Sequence, residues 1–146
     1  MKKITTTLTI DIRFNEIDLY QVVWNGHYLG YFELARQKLL DEYRLDYERL
    51  LGMGFLIPLS HVEVDFKKAI WYSEKQIEVC VSLSDSLVPK FQFDYVIRSL
   101  DQKTIFATGR TNHVLVENES WNLRMTYPDS LRQWRSEMFS NAEQTI

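Results

Sequence analysis

One change of hydrophobic period divides this chain and limits the folds open to it. From residue 28 onward, apolar side chains recur at the spacing of a helix: Tyr28, Phe32, Ala35 and Leu39. This spacing predicts an amphipathic helix of about four or five turns. Before and after the helix, apolar and polar residues alternate one by one, which is the period of a half-buried strand. The chain therefore combines one long helix with a series of strands.

The alternating runs predict five strands. The first precedes the helix, and the other four follow it: Thr5–Phe14, then runs around Val62–Phe66, Ile77–Leu83, Phe91–Ile97 and Ile105–Glu117. The segment Leu100–Lys103 lies between the last two runs. Such a segment is too short for a crossover helix and predicts a hairpin, so we expect antiparallel pairing.

The remaining segments predict two shorter helical elements. The long helix should end near Tyr43–Asp46, before a short helical turn closed by Gly52 and Gly54. The segment Pro128–Phe139 predicts a short C-terminal helix. The order of elements predicts an α+β fold, with one long helix packed on an antiparallel sheet of about five strands. Because one helix covers only part of such a sheet, we expect pairing with a second subunit.

Composition narrows the class of protein. A chain of 146 residues suits a single domain, residues 1–146. Its 17 basic and 20 acidic residues are mixed along the sequence, which argues against a nucleic-acid partner. The sequence shows neither a signal peptide nor an apolar run long enough to span a membrane, so we expect a cytoplasmic protein. The single cysteine, Cys80, lies in an alternating run, and no Cys and His residues show ligand spacing, so no metal site is expected.

The segment joining the first strand to the helix, EIDLYQVVWNGHY at 16–28, carries the chemistry of interest. A helix N-terminus presents unpaired N–H groups and partial positive charge. A carboxylate held beside those groups matches what acyl transfer needs, namely oxyanion donors together with a base or nucleophile. An aspartate before a helix is more often only a turn or capping residue. The segment alone leaves both interpretations open.

Residues 13–36, RFNEIDLYQVVWNGHYLGYFELAR, strongly resemble the N-terminal motif of hotdog-fold thioesterases, in particular the 4-hydroxybenzoyl-CoA thioesterase and YbgC-like acyl-CoA thioesterases. The positions of that motif are filled by Phe14, Glu16, Asp18, Val22, Val23, Trp24 and Tyr28. The similarity continues through GFLIPLSHVEVDFKKAIWYSEKQIEV, residues 54–79. It implies a hotdog fold and an enzyme that hydrolyses an acyl-CoA or acyl-carrier-protein thioester to a free acid and a thiol. It also implies a homodimer or homotetramer with sites between subunits, and neither a metal nor a redox cofactor.

The resemblance assigns roles to individual residues. Asp18 matches the catalytic carboxylate, acting as nucleophile on the thioester carbonyl or as base for the attacking water. The amides around the helix start would polarise the carbonyl oxygen and contact substrate: Asn25, Gly26, His27 and Tyr28. Four basic residues are candidates for the coenzyme A phosphates: Lys67, Lys68, Lys90 and Arg110.

Two positions depart from the relatives and keep alternatives open. Many relatives have glycine where Gln21 stands, and many YbgC-like members have histidine where Asn25 stands. Asparagine can cap a helix but cannot act as a general base. A hotdog dehydratase or hydratase, which would need a histidine such as His27 together with a carboxylate, is one alternative. A non-catalytic acyl-thioester-binding protein is another.

Two further acids, Glu16 and Glu33, lie in the same part of the sequence as Asp18. Glu16 is expected to be a solvated loop acid. Glu33 is a second catalytic candidate, because another hotdog subgroup carries its carboxylate on the helix. Its place on the polar helix face favours a simple contact with Arg36 or Gln37 instead.

Overall fold

The computed structural model describes residues 2–140 and 142–144. Three helices are present within these residues: α1 (Tyr28–Glu42), α2 (Tyr47–Gly52) and α3 (Asp129–Phe139). Five strands of eight to ten residues form the main sheet: β1 (Lys2–Asp11), β3 (Leu59–Phe66), β4 (Gln76–Ser84), β5 (Lys90–Arg98) and β6 (Ile105–Val114). The three remaining strands are short: β2 (Phe55–Leu56), β7 (Val116–Glu117) and β8 (Glu143–Gln144).

The main sheet is antiparallel, in the order β3-β6-β5-β4-β1, with β8 added beside the start of β1. The strands β2 and β7 pair with each other in a separate two-stranded sheet. The predicted α+β fold, with one long helix on a sheet of five long strands and a short C-terminal helix, is confirmed. No helix in the described ranges is long and apolar enough to cross a bilayer.

The first strand is shifted relative to its prediction, since it covers Lys2–Asp11 instead of Thr5–Phe14. The chain leaves the sheet after Asp11 and forms a 3-10 turn at Phe14–Glu16. The Arg13 amide donates to Glu16 Oε1 at 2.8 Å, which closes this turn. The apolar alternation continues past the strand end because Ile12 is still buried.

The core lies between α1 and the sheet. Alternate residues of β4 and β5 are buried beneath the helix: Ile77, Val79, Val81, Leu83, Phe91, Phe93, Tyr95 and Ile97. Each such side chain contributes roughly 1.5–3 kcal/mol by leaving water. Phe32 of α1 stacks on Tyr95 with ring centroids 4.3 Å apart. A Cβ added at Gly109 would overlap the Phe32 ring, so the absence of a side chain there allows this close approach.

A line of hydrogen bonds crosses this core from α1 to the segment before β3. Arg36 Nη1 donates to the Tyr95 hydroxyl at 3.2 Å, and Tyr95 Oη lies 2.7 Å from Thr111 Oγ1. Thr111 Oγ1 lies 3.1 Å from His113 Nε2, and His113 Nδ1 lies 3.0 Å from the Ile57 carbonyl oxygen. A carbonyl can only accept, so Nδ1 carries the proton of a neutral His113 and Nε2 accepts from Thr111.

His113 is held in its neutral form. Its side chain is only 2% exposed. Burial, and next the positive charge of Arg36, lower the pKa of His113 to about 4, against a smaller opposite effect of the hydrogen bond to Ile57.

The strand β3 lies at the free edge of the main sheet, opposite β1. Three of its apolar side chains are exposed, Leu59 at 53%, Val62 at 37% and Phe66 at 56%, whereas Val64 is half-buried against the core. A long apolar edge strand of this kind offers its backbone to another strand.

Candidate active site

The two acids of the 16–28 segment lie on a small hairpin beyond the end of β1. Ile17 pairs with Val23, and the Asp18 amide donates to the Val22 carbonyl at 2.9 Å. The turn is closed by the Gln21 amide, which donates to the Asp18 carbonyl at 3.1 Å. Gln21 has a φ of 69°, in the left-handed region that favours glycine. The hairpin therefore keeps a backbone turn that suits the glycine of many relatives, although this chain has glutamine.

The carboxylate of Asp18 is half-buried and oriented by its own turn. Its Oδ1 accepts a hydrogen bond from the Tyr20 amide at 2.8 Å. Asp18 therefore stabilises its own turn, as expected of an aspartate before a helix, and this bond uses one of its two carboxylate oxygens. It also holds the side chain in one orientation, which a reacting group requires.

Glu16 is not the solvated loop acid that we expected. Its Oε1 accepts from the Arg13 amide at 2.8 Å and from the Tyr31 hydroxyl at 3.0 Å. Burial, and next the Glu16 charge, raise the pKa of Tyr31. Glu16 therefore ties the hairpin to the first turn of α1, and this structural role separates it from Asp18.

The hairpin is braced from the other side by the segment that follows β3. The Val23 amide donates to the Ile70 carbonyl at 2.9 Å, and Val22 pairs with Trp71. The Trp24 amide donates to the Glu16 carbonyl at 2.9 Å. The site thus rests on two segments that are far apart in the sequence.

The helix start is a 3-10 turn at Asn25–His27 that leads directly into α1. The His27 amide is used inside the turn, where it donates to the Trp24 carbonyl at 3.0 Å. The amides of Asn25 and Gly26 open the turn and precede its first internal bond, so they are the N–H groups suited to an incoming oxygen. A Cβ at Gly26 would overlap the Trp24 indole, which lies across the turn.

Asp18 and the helix start lie close together. Burial, and next the charge of Asp18, raise the pKa of Tyr28, the first residue of α1. The Tyr28 ring also packs edge-on against Phe66 at the end of β3, with centroids 4.9 Å apart. The carboxylate, the opening amides of the turn and the end of β3 therefore share one end of the molecule.

The four predicted phosphate-binding residues are divided between two regions. Lys67 and Lys68 are exposed and follow β3 immediately, and their amides donate to Phe106 at 2.8 and 3.0 Å. They lie just before Ile70, which braces the hairpin, so they lie at the Asp18 end. Lys90 is the first residue of β5 and Arg98 is the last, so at about 3.3 Å per residue they lie roughly 26 Å apart. Lys90 is at the end of the strand that faces away from Asp18.

Arg110 is engaged elsewhere. It lies in the middle of β6, and its Nε donates to Asp94 Oδ1 at 2.7 Å, with Glu63 4.0 Å from Nη1. The structure thus brings the two adjacent lysines to the hairpin but neither Lys90 nor Arg110. The assignment of all four residues to coenzyme A stays a prediction.

Glu33 and His27 are the remaining candidates from the sequence. Glu33 is exposed, and Gln37 Nε2 lies 3.4 Å from its Oε1, which is one of the two contacts expected for it. The His27 ring packs edge-on against Trp24, with centroids 5.6 Å apart. No cluster of three or more His, Cys, Asp or Glu residues within 2–140 and 142–144 could hold a metal ion.

Sequence reasoning singled out Phe14, Tyr20 and Trp24 in this region but missed Phe66 and Trp71. Large apolar side chains are exposed around the hairpin and on the braces that support it: Phe14, Leu19, Tyr20, Trp24, Phe66 and Trp71. Such a patch on a protein surface marks a binding or subunit contact. Trp71 and Phe66 join the site through pairing between distant segments, so local sequence gave no signal beyond their aromatic character.

Comparison with protein families gives one match over most of the chain. A family model described as "Thioesterase-like superfamily" matches residues 12–135. An Aquifex aeolicus (strain VF5) protein named "Putative esterase" is 28% identical over 107 residues, covering 73% of this chain and 81% of that protein. "Putative acyl-CoA thioesterase YneP" of Bacillus subtilis (strain 168) is 26% identical over 124 residues, covering 82% and 88%.

Solved structures agree in fold. A DHNA-CoA thioesterase from Staphylococcus aureus superposes with a TM-score of 0.74 at 21% identity, over 91% of this chain and 89% of that one. A 1,4-dihydroxy-2-naphthoyl-CoA thioesterase from Synechocystis gives a TM-score of 0.72 at 20% identity, over 92% and 97%.

Proposed function

The chain belongs to the thioesterase-like superfamily, and from this membership we propose that it is an acyl-CoA thioesterase whose chemistry depends on Asp18. Its fold is the hotdog fold, and it is a thioester hydrolase. The observation that carries the proposal is the position of the Asp18 carboxylate, which is fixed by the hairpin beside the opening turn of α1.

In the proposed reaction, the thioester carbonyl oxygen points at the amides of Asn25 and Gly26. Asp18 either takes a proton from water, which then attacks the carbonyl carbon, or attacks that carbon itself. The two amides stabilise the negative charge that develops on the oxygen. The C–S bond then breaks, and the thiolate leaves and takes up a proton. If Asp18 attacks directly, water afterwards hydrolyses the mixed anhydride and restores the carboxylate.

This route does not need a histidine at position 25. Asn25 contributes its backbone amide, which any side chain would provide equally well. We propose on the same grounds that the chain belongs with the 4-hydroxybenzoyl-CoA thioesterase and YbgC-like group, because the motif at 13–36 is supported by the hairpin geometry. Substrate phosphates are proposed to lie near Lys67 and Lys68, the two predicted basic residues at this end.

We further propose that residues 1–146 form one domain and that two copies pair through β3. One contiguous apolar core supports the single domain. The exposed edge and apolar side chains of β3 support the pairing, and β3 ends beside the proposed site at Phe66. A second subunit would therefore also border the substrate.

The proposal is tested by measuring thiol release from acyl-CoAs with short, long and aromatic acyl groups. We expect Asp18→Asn to lower kcat by about 100-fold or more, since a positioned acid or base contributes about 10²–10⁴-fold. Glu33→Gln is the matched control, because it also replaces one carboxylate by an amide, here on an exposed helix position, and it should stay within about twofold of wild type.

Two results would count against the proposal. Equal rates for the wild type and Asp18→Asn would remove Asp18 from its role and favour Glu33. Failure of the wild type to cleave any acyl-CoA of the series would exclude acyl-CoA as the substrate.

A further inference from the structure

A cavity lies away from the hairpin, beside the C-terminal half of α1. It is a groove of about 1020 Å³ between α1, α2 and the segment before β3. Apolar side chains provide most of its wall, among them Leu40, Leu50, Ile57 and Leu59. Its volume is at the upper end of the range for small-molecule sites, roughly 300–1,000 Å³.

A positive charge lies inside this apolar groove. Arg36 lines it and is half-buried, and its guanidinium lies over the Phe93 ring at 5.9 Å. One of its N–H groups donates to Tyr95. None of the ion pairs formed among the described residues includes Arg36. By contrast, the half-buried Arg98 and Arg135 are paired with Glu78 and Asp85.

A half-buried guanidinium has lost part of its hydration without gaining a carboxylate in return. The planar fork of its remaining N–H groups matches the geometry of a carboxylate. Three acids also line the groove. Asp41 and Glu48 are exposed, where water and salt weaken their charge, and the half-buried Asp46 is already paired with Arg49 at 3.2 Å. The groove therefore combines an apolar wall with a positive charge that still lacks a negative partner.

The wall of the groove also contains a strained aromatic residue. Trp121 lines the groove, is 59% exposed and has a φ of 58°. The left-handed conformation is unfavourable for a residue other than glycine. Its amide donates to the Glu117 carbonyl at 2.9 Å, so the turn after β7 holds this conformation in place. An indole kept exposed at this cost provides an apolar surface to a ligand.

We propose that this groove binds an aliphatic chain that carries a free carboxylate, with the carboxylate paired to Arg36 and the chain covered by Trp121 and the leucines. Two sources share this chemistry. The carboxylate can be the far end of an acyl group whose thioester is at the hairpin, or it can belong to a free fatty acid. Only the first source rests on the function proposed above.

The test compares two ligands of equal chain length, octanoate and 1-octanol, by titration calorimetry at fixed salt. We expect octanoate to bind the wild type about tenfold more tightly or better, because a hydrogen-bonded charge is worth more than a neutral contact. This comparison needs no variant and does not depend on Asp18, so Asp18→Asn should give the same result.

Variants then locate the charge. Arg36→Met should abolish the advantage of octanoate. Arg124→Met is the matched control, because Arg124 is also half-buried over an aromatic ring, Phe55 at 5.5 Å, but lies outside the groove lining. Trp121→Gly removes both the strain and the indole, and we expect it to weaken both ligands while the protein stays folded.

Equal binding of octanoate and octanol to the wild type would overturn the proposal, as would an unchanged octanoate advantage in folded Arg36→Met. The source is then found from thiol release with suberoyl-CoA and octanoyl-CoA. A preference for suberoyl-CoA that Arg36→Met removes assigns the groove to the substrate. If the two CoA thioesters are hydrolysed at equal rates while octanoate still binds, the groove is assigned to a free acid.

Discussion

Gly109 controls how closely α1 approaches the sheet. We expect Gly109→Ala to lower the free energy of unfolding by about 2 kcal/mol, because the new methyl group overlaps the buried Phe32 ring. Urea unfolding measures the effect. The matched control is Gly30→Ala, whose Cβ meets nothing within 4 Å, and it should stabilise α1 by about 0.5–1 kcal/mol. Wild-type stability in Gly109→Ala would show that the helix can move away freely.

The neutral His113 makes stability depend on pH. Its pKa is about 4 in the folded protein, against an ordinary value of 6.5. The unfolded chain therefore takes up this proton first, so the contribution is complete above pH 6.5 and is lost as the pH falls toward 4. At about 1.36 kcal/mol per pKa unit, the loss approaches roughly 3 kcal/mol.

Urea unfolding at pH 7 and at pH 4.5 checks this expectation, with His113→Gln as the comparison. The variant should be less stable at pH 7 but should lose less stability between the two pH values. Parallel pH dependence in the two proteins would show that His113 does not titrate on unfolding.

At the scale of elements, the segment after β3 braces the hairpin and also contains Lys67 and Lys68. We expect the double variant Lys67→Met, Lys68→Met to raise KM for an acyl-CoA severalfold and to leave the KM of the matching acyl-pantetheine unchanged, because only the former carries the nucleotide phosphates. Lys90→Met, at the far end of β5, is the control. An equal rise in KM for both thioesters would contradict a phosphate contact.

Elements defined by local periodicity could be predicted. The helix α1 begins at Tyr28 as expected, and β4 and β5 alternate as their sequences indicate, because burial on one face fixes both periods. The pair β2 and β7 could not, since strands of two residues contain no period. The early end of β1 depends on a turn whose bonds are formed by Glu16, and periodicity carries no information about it.

The site was predictable only in part. The motif selected the segment, and in the structure the charge of Asp18 acts on Tyr28, the first residue of α1. The bond between Glu16 and Tyr31 spans 15 residues and depends on how the hairpin folds back on α1. The separation of Lys90 from Lys67 follows from strand direction in the finished sheet, which residue type alone does not give.

At the scale of the whole molecule, the proposed pairing of two copies through the free edge of β3 can be tested. A twofold axis across this strand would place Val62, near its middle, beside its own copy. We expect Val62→Asp to shift the protein from dimer to monomer, because like charges directly opposite each other destabilise strand pairing. Light scattering after gel filtration measures the mass. Thr9→Asp, on an exposed position of β1, should keep the wild-type mass, and a dimeric Val62→Asp protein would contradict pairing through β3.

The line of hydrogen bonds from Arg36 to Ile57 has a fixed polarity. A guanidinium can only donate and a carbonyl can only accept, so the two hydroxyl groups between them, on Tyr95 and Thr111, must point the same way. Neither proton can turn without breaking a bond at its neighbour. The hydroxyl protons of this core are therefore held in one order, each directed from the Arg36 end toward the Ile57 end, and neither hydroxyl can reverse by itself.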